Sequence, residues 1–227
     1  PYAAFAAPPG FAFLEIASGA RAAALGGAFA AMGSGMVAQF WDPARLSSLG
    51  TFQVEGTHTE LIAGLRHDTF SAGGRVGGGG LAGSFRAFYT EPIDERDDLG
   101  NLIGSFGSHD LELGVAYGWP MAAGLEVGLS GQVIRERIAN LAATTYAFGA
   151  GAAWQPAGLE GLRIGGAPPN LRSSAHYTIE GIEGEPVGLP MAVQGGGPYS
   201  MDGGERIELQ GAIEGRFTRG RAGQGMG

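Results

Sequence analysis

Residues 110–119 read DLELGVAYGW. Leu111, Leu113, Val115, Tyr117 and Trp119 fall on one parity, and Asp110, Glu112, Gly114, Ala116 and Gly118 on the other. A period of two held this long is the pattern of a β-strand with one apolar face and one polar or tiny face. The same alternation runs through 125–133, where Leu125, Val127, Leu129 and Val133 oppose Glu126, Gly128, Ser130 and Gln132. It recurs from Tyr146 to Trp154, from Phe52 to Thr59, and at 206–214, where Ile207, Leu209 and Ile213 oppose Arg206, Glu208, Gln210 and Glu214.

Several of these strands exceed the usual length of about 5–6 residues in soluble proteins. They approach the roughly 9–11 residues that a strand needs to cross a bilayer. Tyr89, Tyr117, Trp119, Tyr146 and Trp154 fall at strand ends, as the aromatic girdles of a membrane barrel do. The connections at 75–79, 120–123, 156–158 and 197–203 are short and rich in Gly or Pro, whereas those at 90–108, 137–143 and 180–188 are longer and polar. Short turns at one end and long loops at the other are expected of a transmembrane antiparallel β-barrel. Keeping that alternation makes 159–179 one long, bent strand and predicts nine strands: 51–59, 66–74, 80–89, 109–119, 124–136, 144–155, 159–179, 189–196 and 204–215. Bacterial single-chain barrels have even strand numbers. The expectation is therefore an all-β chain whose segment 51–227 is an incomplete part of a larger barrel.

Outward from the strands, 14–50 differs in composition: LEIASGARAAALGGAFAAMGSGMVAQFWDPARLSSLG. It is rich in Ala and Gly and ends in Trp41-Asp42-Pro43-Ala44. Asp42 can cap a helix and Pro43 suits its first position, so a short helix is expected over 43–49. The paired Gly26 and Gly27 disfavour a regular helix before it. This segment is expected to be a plug inside the barrel, and 1–13, with Pro8-Pro9-Gly10, an extended tail.

Composition excludes several functions. The net charge of −8 opposes a nucleic-acid partner, which needs a basic face. The absence of Cys and Lys removes thiolate metal sites, Cys nucleophiles, Schiff-base chemistry and the phosphate-binding Gly-Lys-Ser/Thr loop. No stretch has the roughly 18 apolar residues of a membrane helix, and PYAAFAAPPG has no signal-peptide pattern.

The chain resembles PorV/PorQ-type outer-membrane proteins of the FadL-like superfamily. The resemblance rests on Phe13-Leu14-Glu15-Ile16, Gly19-Ala20-Arg21, Leu25-Gly26-Gly27-Ala28-Phe29 and Trp41-Asp42-Pro43-Ala44. It continues through His58-Thr59-Glu60-Leu61-Ile62-Ala63, Ser108-His109-Asp110-Leu111, Ile134-Arg135-Glu136-Arg137, Leu162-Arg163-Ile164-Gly165 and Leu189-Pro190-Met191. Asp42 stands where the family usually has Asn, and Arg45-Leu46 where it has Gly-Leu. The resemblance implies a plugged barrel in the bacterial outer membrane, in contact with lipid. It also implies a scaffold or shuttle that binds secreted or cell-surface proteins, as in type IX secretion. FadL-like relatives instead take up hydrophobic small molecules. No enzymatic activity and no cofactor beyond bound lipid or detergent are implied.

The candidate site residues follow from these roles. Gly19, Arg21, Gly26, Gly27, Trp41, Asp42 and Pro43 are the plug residues. Glu55, Glu112, Glu126, Gln132, Arg206 and Glu208 are expected on the polar lumen face. Arg21 either meets Glu55, Glu112 or Glu126 there or lies exposed at the periplasmic mouth. Asp94, Glu95, Asp97 and Asp98 lack calcium-loop spacing and are expected in a solvated external loop. His58, His67, His109 and His176 are scattered over different strands, and nothing local marks a metal or catalytic site.

Overall fold

The computed structural model describes residues 11–26, 29, 33–139, 141–159 and 163–167 with their side chains. It describes the backbone alone of 174–179, 182–188, 192–202 and 208–218. These residues form thirteen strands: β1 (Gln53–Glu60), β2 (Leu65–Val76), β3 (Gly79–Thr90), β4 (Ile93–Arg96), β5 (Leu102–Phe106), β6 (Ser108–Pro120), β7 (Leu125–Ile138), β8 (Leu141–Trp154), β9 (Ile164–Ala167), β10 (Ser174–Ile179), β11 (Ile182–Gly188), β12 (Ala192–Asp202) and β13 (Glu208–Thr218). All but β4 and β5 belong to one curled antiparallel sheet with the path β1-β2-β3-β6-β7-β8-β9-β12-β13. The fold is all-β, as the alternation predicts.

β1, β2, β3, β6, β7 and β8 hold the expected alternation, and tight turns join β1 to β2, β2 to β3 and β6 to β7. Leu61–Leu65 and Met121–Leu125 make the same turn: the first N–H donates to the last carbonyl, at 2.8 and 2.7 Å. Ala63 and Ala123 take φ of 58°, and Gly64 and Gly124 follow with φ of 71° and 77°. Glycine carries the second left-handed position without Cβ strain.

Several expectations are corrected. The stretch 159–179 holds two strands, β9 and β10, yet both lie antiparallel beside β8: Gly166 faces Ala152 and Thr178 faces Ala142. They occupy one lane, and residues 168–173 between them lie outside the described residues. β11 lies where a loop over 180–188 was expected and pairs with β10. β12 runs through Gly197 to Asp202, because its pairing with β13 continues across the expected turn. Within the loop expected over 137–143, β7 extends to Ile138 and β8 begins at Leu141. The long connection 90–108 contains the β4–β5 hairpin as a separate two-stranded sheet. Loop length therefore does not distinguish the two ends of the sheet.

The N-terminal segment carries 3-10 turns over Ala12–Glu15, Met36–Phe40 and Pro43–Ser48, and a short α-helix, α1 (Ala20–Ala24). Of the extended tail expected over 1–13, residues 1–10 lie outside the described residues, and a 3-10 turn spans Ala12–Glu15. The helix expected over 43–49 is 3-10, with the Asp42 carboxylate accepting from the Ala44 N–H at 2.9 Å. The segment packs on one face of the sheet. Phe11 and Phe13 join Ile134, Ala143 and Ala147, while Met36, Leu46 and Leu49 join Ala82 and Ala116.

Candidate functional site: the two faces of the sheet

Register resolves each face into rows that cross the strands. On the face covered by the N-terminal segment, one row is Thr59, His67, Phe88, Asp110, Glu136 and Ala143. The next is Thr57, Thr69, Arg86, Glu112, Ile134 and Thr145, followed by Glu55, Ser71, Ser84, Gly114, Gln132 and Ala147. His67, Thr69, Ser71, Arg86, Asp110, Glu112, Glu136 and Thr145 are all buried. The buried face of this sheet is thus largely polar.

The open face is the reverse. From the end near the β1–β2 turn, its first two rows are Glu60, Arg66, Tyr89, His109, Arg137, Ala142 and then His58, Asp68, Ala87, Leu111, Arg135, Thr144. Ion pairs and hydrogen bonds lace the first part of them. His58 Nδ1 and Asp68 Oδ1 are 2.5 Å apart, the Tyr89 hydroxyl donates to Asp68 Oδ2 at 2.9 Å, and Arg66 Nη2 donates to Glu91 at 2.8 Å. Below them every row is apolar or glycine. Gly56, Phe70, Phe85, Leu113, Val133 and Tyr146 make the third; Val54, Ala72, Gly83, Val115, Gly131 and Phe148 the fourth; Gly74, Leu81, Tyr117, Leu129 and Ala150 the fifth. Trp119 opposite Val127, and Trp154 opposite Leu125, complete the lower end. These side chains are well exposed: Leu113 is 62% accessible, Leu129 56% and Phe148 61%.

Two clusters hold the N-terminal segment to its face. In the upper one, Arg86 donates through Nε to Glu112 Oε2 at 2.8 Å and through Nη1 to the Ser18 hydroxyl at 3.4 Å. Its guanidinium also lies 4.8 Å from the Phe40 ring centroid. The Phe11 N–H donates to Glu136 Oε2 at 2.7 Å, and the Trp41 indole N–H donates to the Ser18 carbonyl at 3.2 Å.

The lower cluster is built on glycine. Gly80, Gly118, Gly128 and Gly151 face one another in register across β3, β6, β7 and β8. The 3-10 turn Pro43–Ser48 lies along that row. A Cβ on Gly118 would come within 2.8 Å of the Ser47 nitrogen, one on Gly128 within 2.6 Å of the Pro43 carbonyl oxygen, and one on Gly80 within 2.9 Å of the Leu46 carbonyl carbon. Arg45, buried, forms an ion pair with Glu126 and donates through Nε to the Gly33 carbonyl at 3.0 Å. Burial raises the Asp42 carboxyl to about 7; the Ala44 N–H and Arg45 oppose that shift and Glu126 adds to it. Among the described residues Asp42 Oδ2 has no hydrogen-bond partner. Nearby, burial and then the positive charge of Arg45 hold the Arg163 guanidinium below its usual value, against Glu126.

Of the expected lumen residues, Glu55, Glu112, Glu126 and Gln132 all lie on the covered face. Glu208 is described as backbone in β13, and Arg206 lies outside the described residues, as does Gly27. Glu55 accepts from the Val37 N–H at 3.3 Å. Arg21 is exposed: its guanidinium donates to Ser34 at 3.4 Å and lies 5.9 Å from the Phe29 ring centroid. The ion pairs considered for Arg21 are made instead by Arg45 with Glu126 and by Arg86 with Glu112, because α1 ends at Ala24 with Arg21 on its outer side. Gly19 takes φ of 94° and sits against Val37, and Gly26 takes φ of 63° just past α1.

Asp94, Glu95, Asp97 and Asp98 lie on the β4–β5 hairpin and its turn. Asp97 accepts from the Leu99 and Asn101 N–H groups and the Asn101 side-chain amide, at 3.0, 2.8 and 2.9 Å. Those bonds, the Asn101 side chain first, hold its carboxyl below the ordinary value. Among the described residues no three His, Asp or Glu side chains converge as a metal site.

Sequence reading did not single out Arg45, Arg86, His67 or the glycine row. The signal for the row was present: the turn at 121–124 pairs Gly118 with Gly128 once its length is known. No family model and no curated protein matches the chain.

Proposed function

We propose that this chain forms an outer-membrane β-barrel of the PorV/PorQ type. Residues 14–50 act as its plug, and it works as a scaffold or shuttle for secreted or cell-surface proteins. One observation carries the membrane reading: the sheet is inverted, with polar and ionic rows buried under the N-terminal segment and apolar rows exposed. A soluble sheet would expose its polar rows and bury its apolar ones. From Val133 to Leu125 the apolar rows extend about 27 Å along the strand at about 3.4 Å per residue. Tilted by about 40°, that is about 20 Å, near the roughly 25 Å apolar band of outer-membrane barrels. Tyr89 and Tyr146 mark one edge of the band, and Trp119 and Trp154 the other. The free edges close in this reading, since an open edge in hydrocarbon leaves backbone groups unpaired.

The scaffold reading is favoured over a FadL-like channel for hydrophobic molecules by the occupied face. The Arg45–Glu126 ion pair, the contacts of Arg86 with Ser18 and Phe40, and the glycine-seated turn hold the described part of the N-terminal segment against this face, where a solute path would run. Fractionation tests the first claim: the protein is expected in the envelope and to need detergent for extraction, and recovery in buffer alone overturns the reading. Purification in mild detergent tests the second. Co-purification of a secreted protein or surface partner supports the scaffold, and measured uptake of an apolar solute supports the channel.

A further inference from the structure

Charge is unevenly matched along the edge of the open face near the β1–β2 turn. On β1 and β2 the cationic groups have carboxylates: His58 meets Asp68, and Arg66 meets Glu60 and Glu91. On β6 and β7 the same two rows carry His109 opposite Arg137 and Leu111 opposite Arg135, with Ala142 and Thr144 next to the arginines on β8. His109, Arg135 and Arg137 are all exposed. Among the described residues neither arginine forms an ion pair. Glu136, between them in sequence, is buried on the other face and accepts from the Phe11 N–H. Along the two rows the next acidic positions are Asp68 on one side and Glu183 on the other, each three strands away. At about 4.8 Å per strand their backbones stand about 14 Å off.

We propose that His109, Arg135 and Arg137 bind the phosphate of one anionic phospholipid, whose acyl chains lie over Leu113 and Val133 in the third row. The inference rests on the membrane reading above. In that reading these three residues occupy the two rows immediately beyond the apolar band, at the level of the lipid headgroups. Successive outward residues of a strand are about 7 Å apart, so both guanidinium groups can reach one phosphate. Arg135, one row deeper, does so by keeping its methylene stem on apolar surface and its charged head toward water. Each guanidinium presents paired N–H donors that match phosphate oxygens, and the His109 ring adds another nitrogen. Two positive charges without carboxylates select a headgroup whose phosphate is not already neutralised by an amine of its own.

The full chain, purified in mild detergent and stripped of lipid, is titrated separately with phosphatidylglycerol and with phosphatidylcholine of the same acyl chains, and retained lipid is read by native mass spectrometry. The wild type is expected to retain one phosphatidylglycerol more tightly than phosphatidylcholine. Arg135→Gln combined with Arg137→Gln is expected to weaken phosphatidylglycerol retention at least about tenfold, from the loss of two arginines at the membrane surface. Phosphatidylcholine retention is expected to stay unchanged in that variant, which shows that it has folded. Arg75→Gln, the same kind of charge change in the row of Gly80 at the other end of the sheet, is expected to have no effect. Millimolar inorganic phosphate is expected not to displace the lipid. Equal retention of the two lipids by the wild type overturns the inference, as does an unchanged phosphatidylglycerol retention in the double variant, an equal loss of both lipids there, or an equal loss in Arg75→Gln. Displacement of the lipid by free phosphate or by a polyglutamate peptide overturns it too. If the protein needs no detergent, the membrane reading falls with it. If it needs detergent but does not distinguish the two lipids, only the headgroup site is lost.

Discussion

A Cβ added to Gly151 would lie 2.9 Å from Cγ of Asp42 and equally close to Cδ of Pro43. Gly151→Ala therefore pushes the carboxylate and the start of the 3-10 turn off the sheet. Overpacking of this kind costs about 1–3 kcal/mol. The expected result is faster proteolysis within 14–50 and a lower melting temperature. Gly131→Ala is the control: its added Cβ would find nothing nearer than 3.8 Å, and it should behave as wild type.

Arg45 and Glu126 form an ion pair with Arg45 buried. Removing one partner strands the other, which costs about 3–5 kcal/mol for a fully buried pair. Glu126 is partly exposed, so the lower part of that range applies to Arg45→Ala. Replacing both, as Arg45→Met with Glu126→Leu, is expected to recover most of the loss. Arg21→Ala, at an exposed position, should cost less than either single change at the pair. Chemical denaturation in detergent with each variant measures the coupling.

Asp42 gives the seating of the segment a pH dependence. Its pKa is about 7 in place against an ordinary 3.8. Between those values the folded state holds the proton that the unfolded state has lost, so stability falls as pH rises from about 4 to 7, by at most about 1.4 kcal/mol per pH unit. Protection of residues 14–50 from protease should be greater at pH 5 than at pH 8. Asp42→Asn should flatten that difference; if the variant keeps the full slope, another group is responsible.

Leu129 lies in the fifth row of the open face and Thr144 in the second. In a bilayer, Leu129→Arg is expected to cost about 2–4 kcal/mol and Thr144→Arg about 0–1 kcal/mol, following the depth dependence of lipid-facing charge. Equal and small effects at both positions would mean that this face meets water. Folding titrations into lipid vesicles make the comparison.

The alternation of residues 110–119 and its counterparts made the strands legible and sorted Glu112, Glu126 and Gln132 onto one face. Asp42 and Pro43 announced the turn that follows them, because capping is local. Partnership across the sheet was not legible. Whether Arg21, Arg45 or Arg86 meets Glu126 depends on where the N-terminal segment lies and how far each strand is shifted, and neither is written in the period. β7 and β8 run past the expected strand ends because Arg137 and the residues after it read as a polar loop, whereas Arg137 pairs with His109 and Ala142 in the first row of the open face.

The glycine row has one more consequence. Sliding one strand past its neighbour by two residues preserves both faces of the sheet, so hydrophobic patterning cannot tell the native arrangement from that error. For β6 or β7 it moves Gly118 or Gly128 out of line and sets the side chain of Ala116, Pro120, Ser130 or Glu126 under the Pro43–Ser48 turn. The turn Pro43–Ser48 thus discriminates, at β6 and β7, between the native offset and a two-residue slip that hydrophobic patterning permits.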